Sequence, residues 1–151
     1  MSARTFLSRE ERRQVEEAVG RAENSTSGEI RIYLTDRCSE QPEADALNAF
    51  QELGMTATAA RNGVLIYVAT ESRRVVIYGD EGINKVVPEG YWNVVCDGLT
   101  SAFSQGRRAE GLCRAVQDIG EKLGTWFPHQ ADDRNELSDE IAINDESTQA
   151  D

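Results

Sequence analysis

Two apolar runs, 64–69 and 75–79, constrain the fold of this chain more than any other feature of its sequence. Each run has the length and the β-branched and aromatic content of a strand. Five polar residues, 70–74, separate the runs, so an antiparallel hairpin with a loop of several residues is the simplest interpretation. The second run stops at Gly79-Asp80-Glu81-Gly82, where two carboxylates stand between two glycines.

The rest of the chain alternates between helical and strand patterns. Ser8 and Glu11 have capping-box spacing ahead of apolar residues at helical intervals, which indicates the start of a helix. This pattern predicts an α/β fold with a small mixed sheet of three to four strands and helices on its faces. The predicted elements are a helix over 9–23, a strand over 29–35, a helix from Pro42 to the residue before Gly54, the two hairpin strands, a helix between Pro88 and Gly106, and a helix ended by Pro128.

The pattern of a packed core stops after Pro128. One short apolar patch, Ile141 to Ile143, indicates a strand-like or docking segment. With 151 residues, the chain is long enough for one domain with a two-sided core, which we place at 1–143, followed by a disordered acidic tail at 144–151.

Charge and composition exclude several classes of protein. Residues 130–151 contain eight acidic residues and one basic residue, which gives −7 of the net charge of −11. No basic stripe exists for a nucleic-acid backbone, and no apolar window is long enough to span a membrane. Three cysteines without CxxC spacing and a start without a signal-peptide pattern favour the cytoplasm. The single histidine argues against most zinc sites.

The predicted topology brings three glycine-marked segments to one edge of the sheet. A strand that reaches the next strand through a helix lies parallel to it, so the first and second strands begin at the same edge, and the hairpin returns the third strand there. The segments are 27–29, 61–63 and 79–82. Their oxygens suit a hard cation, and a guanidinium beside them suits an anion. The candidate cation ligands are Asp80, Glu81, Glu29 and Asn62, and the candidate anion-binding residue is Arg61.

Simpler interpretations of the same residues stay open. Asp80 can act as the N-cap of a short helix that runs through Ile83 to Val86. Glu29 can be a solvated first residue of its strand, and Arg61 can pair with Glu81 at the surface. No phosphate-binding loop, nucleophile elbow or EF-hand loop is present, so any phosphate-ester hydrolysis would depend on a metal and carboxylates.

Five stretches, taken together, resemble the TPM-domain family, which is named for plant thylakoid-lumen phosphatase-like, photosystem-II-repair and receptor-modulator proteins. They are TSGEIRIYL, RNGVLIYVA, VVIYGDEGIN, FSQGRRAEGLCRAVQDIGEKL and FPHQADDRNELSDEI. The resemblance runs from about Phe6 to Ile143 and is to the short, soluble bacterial form of the family. Ser138 stands where many relatives have proline.

The resemblance implies an α/β/α sandwich and a divalent-cation site, usually for calcium, at one end of the sheet. The matching motifs contain Glu29, Arg61, Asn62, Asp80 and Glu81. In the last motif, Asn135, Glu136 and Asp139 either complete a site or cap the final segment. Acid phosphatase activity is attributed to a plant member of the family.

Three hypotheses on function follow. The first is a cytoplasmic, monomeric TPM-domain protein that binds a divalent cation, Ca²⁺ or alternatively Mg²⁺, with a protein partner or a phosphorylated small molecule as its target. The second is a weak metal-dependent acid phosphatase, in which Arg61 would hold the phosphate and Asp80 or Glu29 would serve as metal ligand or base. The third is a protein-interaction module that uses the acidic tail, residues 130–151.

Overall fold

A computed structural model describes residues 1–129 and 139–144, and in this part of the chain the elements follow the predicted order. A 3₁₀ turn at Met55–Ala57 joins the second helix to the second strand. The helices and strands are α1 (Arg9–Glu23), β1 (Glu29–Thr35), α2 (Pro42–Glu52), β2 (Gly63–Ala69), β3 (Arg74–Gly79), α3 (Glu81–Asn84), α4 (Tyr91–Ser104), α5 (Arg108–Trp126) and β4 (Ala142–Asn144).

The strands form one mixed sheet in the order β3-β2-β1-β4. The predicted hairpin is confirmed, because β2 and β3 pair antiparallel from Val64↔Gly79 to Ala69↔Arg74. The predicted crossover is confirmed as well, because β1 and β2 pair parallel over their whole length, starting at Glu29↔Gly63. The beginnings of β1 and β2 and the end of β3 therefore lie at the same edge.

Helices cover both faces of this sheet, which confirms the α/β/α sandwich. The core under α1, α4 and α5 is the larger one and takes the side chains of Ile30, Ile32 and Leu34 from β1. The core under α2 contains Phe50 and takes alternate residues of β1 and β2. All seven residues of β2 are buried, as expected of a central strand that is covered on both faces.

The apolar patch at 141–143 forms most of β4, which pairs parallel with only the last three residues of β1. In the earlier part of β1, a side chain bonds the strand backbone: Glu23 Oε2 accepts a hydrogen bond from the Ile30 N–H at 2.9 Å. Just before β4, Glu16 Oε2 accepts a hydrogen bond from the Ile141 N–H at 2.8 Å. Asn144, the first residue of the predicted tail, ends β4, and residues 145–151 lie outside the described part of the chain.

The long helices bury one face and expose the other. The predicted capping box starts α1, where Ser8 and Glu11 bond each other's backbone N–H groups at 3.1 and 2.9 Å. Gly54 follows α2 with φ of +69°, the left-handed conformation that glycine adopts at helix ends. Within residues 1–129 and 139–144, no helix has the length and apolar character needed to cross a membrane.

Close contact between α1 and α5 depends on a glycine. A Cβ atom at Gly120 would lie 2.7 Å from the Cβ of Ala22, which is closer than two carbon atoms can pack. Gly98 in α4 is the opposite case, because a Cβ atom there would meet no atom within 4 Å. Alanine substitutions at the two glycines therefore measure the effect of helix propensity and the effect of packing separately.

We expect Gly120→Ala to lower the free energy of unfolding by about 1–3 kcal/mol, since the added methyl group overpacks the contact between α1 and α5. The control, Gly98→Ala, should raise it by about 0.5–1 kcal/mol, because alanine favours a helix over glycine. Urea unfolding of the two variants measures both effects. A neutral Gly120→Ala would contradict the packing described here.

Candidate functional site

Backbone hydrogen bonds tie together the three glycine-marked segments that the sequence places at one edge. The Glu29 N–H donates to the Asn62 carbonyl at 3.4 Å, and the Asp80 N–H donates to the Gly63 carbonyl at 2.9 Å. The Gly82 N–H donates to the Arg61 carbonyl, also at 2.9 Å. The predicted convergence is thus a direct contact of the three segments.

Gly82 is required for the closest of these approaches. A Cβ atom at this position would lie 2.7 Å from the Arg61 carbonyl oxygen and would also collide with the Ala60 carbonyl oxygen. Arg61 itself has φ of +51°, an uncommon conformation for a residue with a side chain. This local geometry turns the guanidinium of Arg61 toward the start of α3.

Arg61 and Asp80 form a two-pronged ion pair. Arg61 Nε lies 2.7 Å from Asp80 Oδ2, and Arg61 Nη2 lies 2.8 Å from Asp80 Oδ1. The Asp80 side chain is 4% exposed and that of Arg61 is 39% exposed, so the pair is largely shielded on the carboxylate side. The hydrogen bonds that Arg61 donates to Asp80 raise the pKa of the guanidinium.

Asp80 has a second role, as the N-cap of α3. Its Oδ1 accepts a hydrogen bond from the Glu81 N–H at 2.8 Å. The capping interpretation of Asp80 is thus confirmed, although the helix ends at Asn84 and not at the predicted Val86. Glu81 also lies 3.3 Å from Arg61 Nη1, but its side chain is 64% exposed.

These contacts limit what the Gly79–Gly82 turn can bind. Both carboxylate oxygens of Asp80 face the guanidinium, and two of the guanidinium nitrogens face Asp80. A cation ligated by Asp80, or an anion held by Arg61, would need this ion pair to open. The predicted ligand role of Asp80 and Glu81 and the predicted anion-binding role of Arg61 stay predictions.

Glu29 lies in a different environment from Asp80. Its side chain is buried, with the residue 2% exposed, so the interpretation of a solvated first residue was wrong. Its carboxyl group lies within hydrogen-bonding reach of Glu23, the last residue of α1, and Asp139 reaches Glu23 as well. Three carboxyl groups therefore meet around the unpaired part of the β1 edge.

Glu23 is the titrating group of this cluster. Burial raises the pKa of its carboxyl group, hydrogen bonds with Asp139 and Glu29 raise it further, and the Ile30 N–H acts in the opposite direction. Glu23 Oε1 is buried and no N–H or O–H group of the described residues donates to it. The charged form is thus disfavoured, and Glu23 retains a proton at neutral pH.

Asn62 adds a buried amide at the same edge of the sheet. It is 1% exposed, and its Nδ2 donates to Ser27 Oγ at 3.4 Å. Its Oδ1 is buried and accepts no hydrogen bond from the parts of the chain that are described. An amide oxygen held in this way is an acceptor that a cation, a water molecule or a donor could use.

Two carboxyl groups of the cluster lie outside the residues that spacing alone singled out. Asp139 comes from the last motif of the family resemblance, whose Asn135 and Glu136 fall outside the described residues. Glu23 was not among the candidate site residues that the sequence predicted. The sequence did contain a sign of its unusual environment, because Glu23 is an acidic residue in the last turn of a helix, where the helix dipole favours a cation.

The predicted site residues thus fall into two groups, an ion pair around Asp80 and a carboxyl cluster around Glu29. No set of three or more histidine, cysteine, aspartate or glutamate side chains that could hold a metal ion occurs in residues 1–129 and 139–144. Any metal in this region would therefore depend on one or two carboxylates, supplemented by amide oxygens, carbonyls or water.

A comparison with models of known protein families identifies the family of this chain. The family model described as the TPM domain matches residues 2–122, most of the sequence. This chain belongs to the TPM-domain family. The two motifs around Asn62 and Asp80, and the strand that starts at Glu29, all lie within the matched residues of this TPM-domain protein.

Solved structures agree with the assignment. The BA42 protein from the psychrophilic bacterium Bizionia argentinensis, solved by NMR, is 38% identical and has a TM-score of 0.86; the match covers 92% of this chain and 96% of that one. A search of the curated proteins gave no match.

Two more distant structures show the fold alone. The N-terminal domain of a protein from P. gingivalis is 21% identical with a TM-score of 0.65, and the match covers 83% of this chain and 82% of that one. The N-terminal domain of the cg2496 protein from Corynebacterium glutamicum is 17% identical with a TM-score of 0.60, covering 78% and 74%.

The ion pair predicts different costs for two adjacent acids. We expect Asp80→Ala to lower the free energy of unfolding by about 2 kcal/mol, since it removes the cap of α3 and the charge-assisted bonds to Arg61. Glu81→Ala removes the same charge from an exposed side chain and should have almost no effect. Chemical unfolding distinguishes the two, and equal losses would contradict the assigned roles.

The carboxyl cluster predicts a dependence of stability on pH. With the pKa of Glu23 raised in the folded state, the folded protein holds a proton that the unfolded chain loses above about pH 4.5. This contribution to stability is therefore fully present below that pH and is lost as the pH rises.

We expect Glu23→Gln to keep the acceptor for the Ile30 N–H, to flatten the pH dependence between pH 5 and 8, and to raise the free energy of unfolding at pH 8 by on the order of 1 kcal/mol. Glu17→Gln, on the exposed face of the same helix, is the control and should leave the slope unchanged. Urea unfolding at several pH values makes the comparison. An unchanged slope in Glu23→Gln would rule out its raised pKa.

Proposed function

We propose that this TPM-domain protein binds a divalent cation at the edge where β1 and β2 begin, through the carboxylates of Glu29 and Glu23 and the amide oxygen of Asn62. One observation carries the proposal: buried oxygens lie at this edge, Glu23 Oε1 and Asn62 Oδ1 among them, to which none of the described residues donates a hydrogen bond. A hard cation would supply the positive charge that these oxygens lack.

The proposal links the cation to the proton on Glu23. Burial and neighbouring carboxyl groups make ionised Glu23 unfavourable in the absence of a counter-charge. A divalent cation reverses this balance, because it stabilises the ionised form and displaces the proton. Binding should therefore release protons and strengthen as the pH rises.

Two ions are candidates. Mg²⁺ commonly uses one or two protein carboxylates and keeps several waters, which fits a group with fewer than three acidic ligands. Ca²⁺ needs about 6–8 oxygens, so carbonyls and water would complete its shell. The family resemblance favours Ca²⁺. Measuring the affinities of the protein for the two ions would show which one it binds more tightly.

Asp80 and Glu81 are left out of the ligand set that we propose. Asp80 already neutralises Arg61, and its bonds to the guanidinium and to the α3 backbone use both carboxylate oxygens. This arrangement also gives no support to the phosphatase hypothesis, since the guanidinium that would hold a phosphate is engaged. We propose that the ion pair between Arg61 and Asp80 instead has a structural role and holds the loops at this edge together.

The remaining hypotheses still rest on the sequence alone. A cytoplasmic location and a monomeric state are part of the proposal and rest on the cysteine pattern and composition. The interaction hypothesis concerns the acidic segment 130–151, of which only residues 139–144 are described.

We expect Ca²⁺ or Mg²⁺ to give saturating NMR shifts at the amides of Glu29, Asn62 and Gly63, and to raise the free energy of unfolding by about 2.7 kcal/mol at a concentration of 100 times Kd. Glu29→Gln should lose the response and Asp80→Asn should retain it. Glu81→Gln, with the same change of charge at an exposed position, is the control.

Two results would overturn the proposal. One is a response that disappears in Asp80→Asn but survives in Glu29→Gln, which would move the ion to the Gly79–Gly82 turn. The other is shifts that rise without saturating, which would mean weak screening of an acidic surface. Circular dichroism of each variant without metal shows whether a lost response reflects unfolding.

A further inference from the structure

The opposite edge of the sheet contains a second opening, created by the topology. From β1 the chain crosses one face through α2 to reach β2, whereas it reaches β4, on the other side of β1, after α4 and α5 on the opposite face. The carboxyl ends of β1 and β4 therefore border a crevice where the direction of winding reverses. In open α/β sheets, ligands bind at such points.

A cavity of about 330 Å³ lies at this position. Its size falls within the range of small-ligand pockets, about 300–1,000 Å³. Its walls come from the end of β1, from the segment that follows it, and from α2, Tyr67 of β2 and Asn144 of β4. Seven residues of strand separate it from the carboxyl cluster, about 20 Å, so the two places are independent.

Polar residues of α2 point to this cavity. Asp45, Asn48 and Glu52 are spaced i, i+3 and i+7, which puts them on one face of the helix, and all three line the cavity. Asp45 Oδ2 accepts a hydrogen bond from the Ser39 N–H at 2.6 Å, which fixes the carboxylate. Asp45 is half-buried and Asn48 and Glu52 are exposed, so the stripe forms the outer, solvent-facing wall of the cavity.

Two stacked tyrosines form the side of the cavity at the sheet. The rings of Tyr33 and Tyr67 are 5.6 Å apart and nearly parallel. Tyr33 hydrogen-bonds Asn144, whereas Tyr67, which is 4% exposed, has a hydroxyl group without a hydrogen bond to any described residue. Burial raises the pKa of both tyrosines, and the charge of Asp45 raises that of Tyr67 further. The hydroxyl of Tyr67 therefore stays neutral beside a carboxylate and can donate or accept.

The charges around the cavity favour a cationic ligand. The carboxylates of Asp45 and Glu52 act on Tyr67 and Tyr33, against a single guanidinium among the lining residues, that of Arg37. The Asp36 carboxylate instead accepts a hydrogen bond from the Ala3 N–H at 2.7 Å. Arg37 already pairs with Glu71 at 3.2 Å. Asp45 and Glu52 are two turns apart on α2, about 10 Å, a separation that suits the several N–H donors of an organic cation.

We propose that the cavity bordered by Tyr33, Tyr67, Asp45 and Glu52 binds a small organic amine. The carboxylates of α2 neutralise its ammonium group, and the Tyr67 hydroxyl gives it a hydrogen-bond partner that none of the described residues uses. The site is distinct from the cation site proposed above, and neither depends on the other.

Three probes with the same four-carbon chain test the class of ligand: 1,4-diaminobutane, 1,4-butanediol and succinate. In an NMR titration at about 0.15 M salt, which screens the acidic surface, only the diamine should give saturating shifts, at Thr35, Asp36, Asp45 and Tyr67. Shifts that do not saturate, or that spread over the surface, would overturn the proposal. Equal binding of the diol would overturn the assignment of an amine.

Two pairs of variants test the residues. Tyr67→Phe should weaken diamine binding about fivefold, from the loss of one hydrogen bond, without lowering the free energy of unfolding, because the hydroxyl bonds none of the described residues. Glu52→Gln should weaken binding more than Glu43→Gln, an exposed acid on the same helix that does not line the cavity. Equal effects of the two glutamate variants, or unchanged binding in Tyr67→Phe, would overturn the proposal.

Discussion

Parallel pairing of β1 with β2 is the constraint on which the rest of the molecule depends. Parallel neighbours need a crossover, and α2 supplies it on one face, which leaves the other face to α1, α4 and α5. The same pairing places both strand beginnings at one edge and both strand ends at the other. Each edge therefore collects loop residues from segments that are far apart in the sequence.

The two edges have become chemically different. At the edge where β1 and β2 begin, Arg61 neutralises Asp80, whereas Glu23 Oε1 and Asn62 Oδ1 are buried without a donor among the described residues. At the edge where they end, polar groups line an open cavity, and the Tyr67 hydroxyl has no hydrogen bond to a described residue. Under the two proposals, the first edge offers its oxygens to a cation and the second offers its polar groups to a small molecule.

Much of the fold could be predicted because it is encoded in local patterns. Periodicity placed the hairpin, the crossover and the long helices, and glycines and prolines placed their ends. From these, the convergence of residues 27–29, 61–63 and 79–82 followed by topology alone. The partners within that edge did not follow, because whether Arg61 bonds Asp80 or Glu81 depends on a backbone conformation that sequence spacing does not reveal.

The features that could not be predicted are non-local. The place of β4 beside β1 depends on pairing across more than a hundred residues, and a three-residue strand has no pattern of its own. In the sequence, Glu23 has the pattern of an ordinary helix residue. Its role depends on where the end of α1 lies relative to the part of β1 that no described strand pairs with. The crevice at the other edge required knowledge of both neighbours of β1.

The carboxylate that covers the Ile30 N–H also governs how this protein meets other chains. An exposed strand edge is a template for pairing with another strand, and proteins protect such edges with charged side chains or a covering segment. An incoming strand would have to displace Glu23 from the Ile30 N–H and leave its carboxyl group facing Glu29 and Asp139 without that donor. The short β4 and the end of α1 together close this edge to aggregation, so a longer edge strand is not needed.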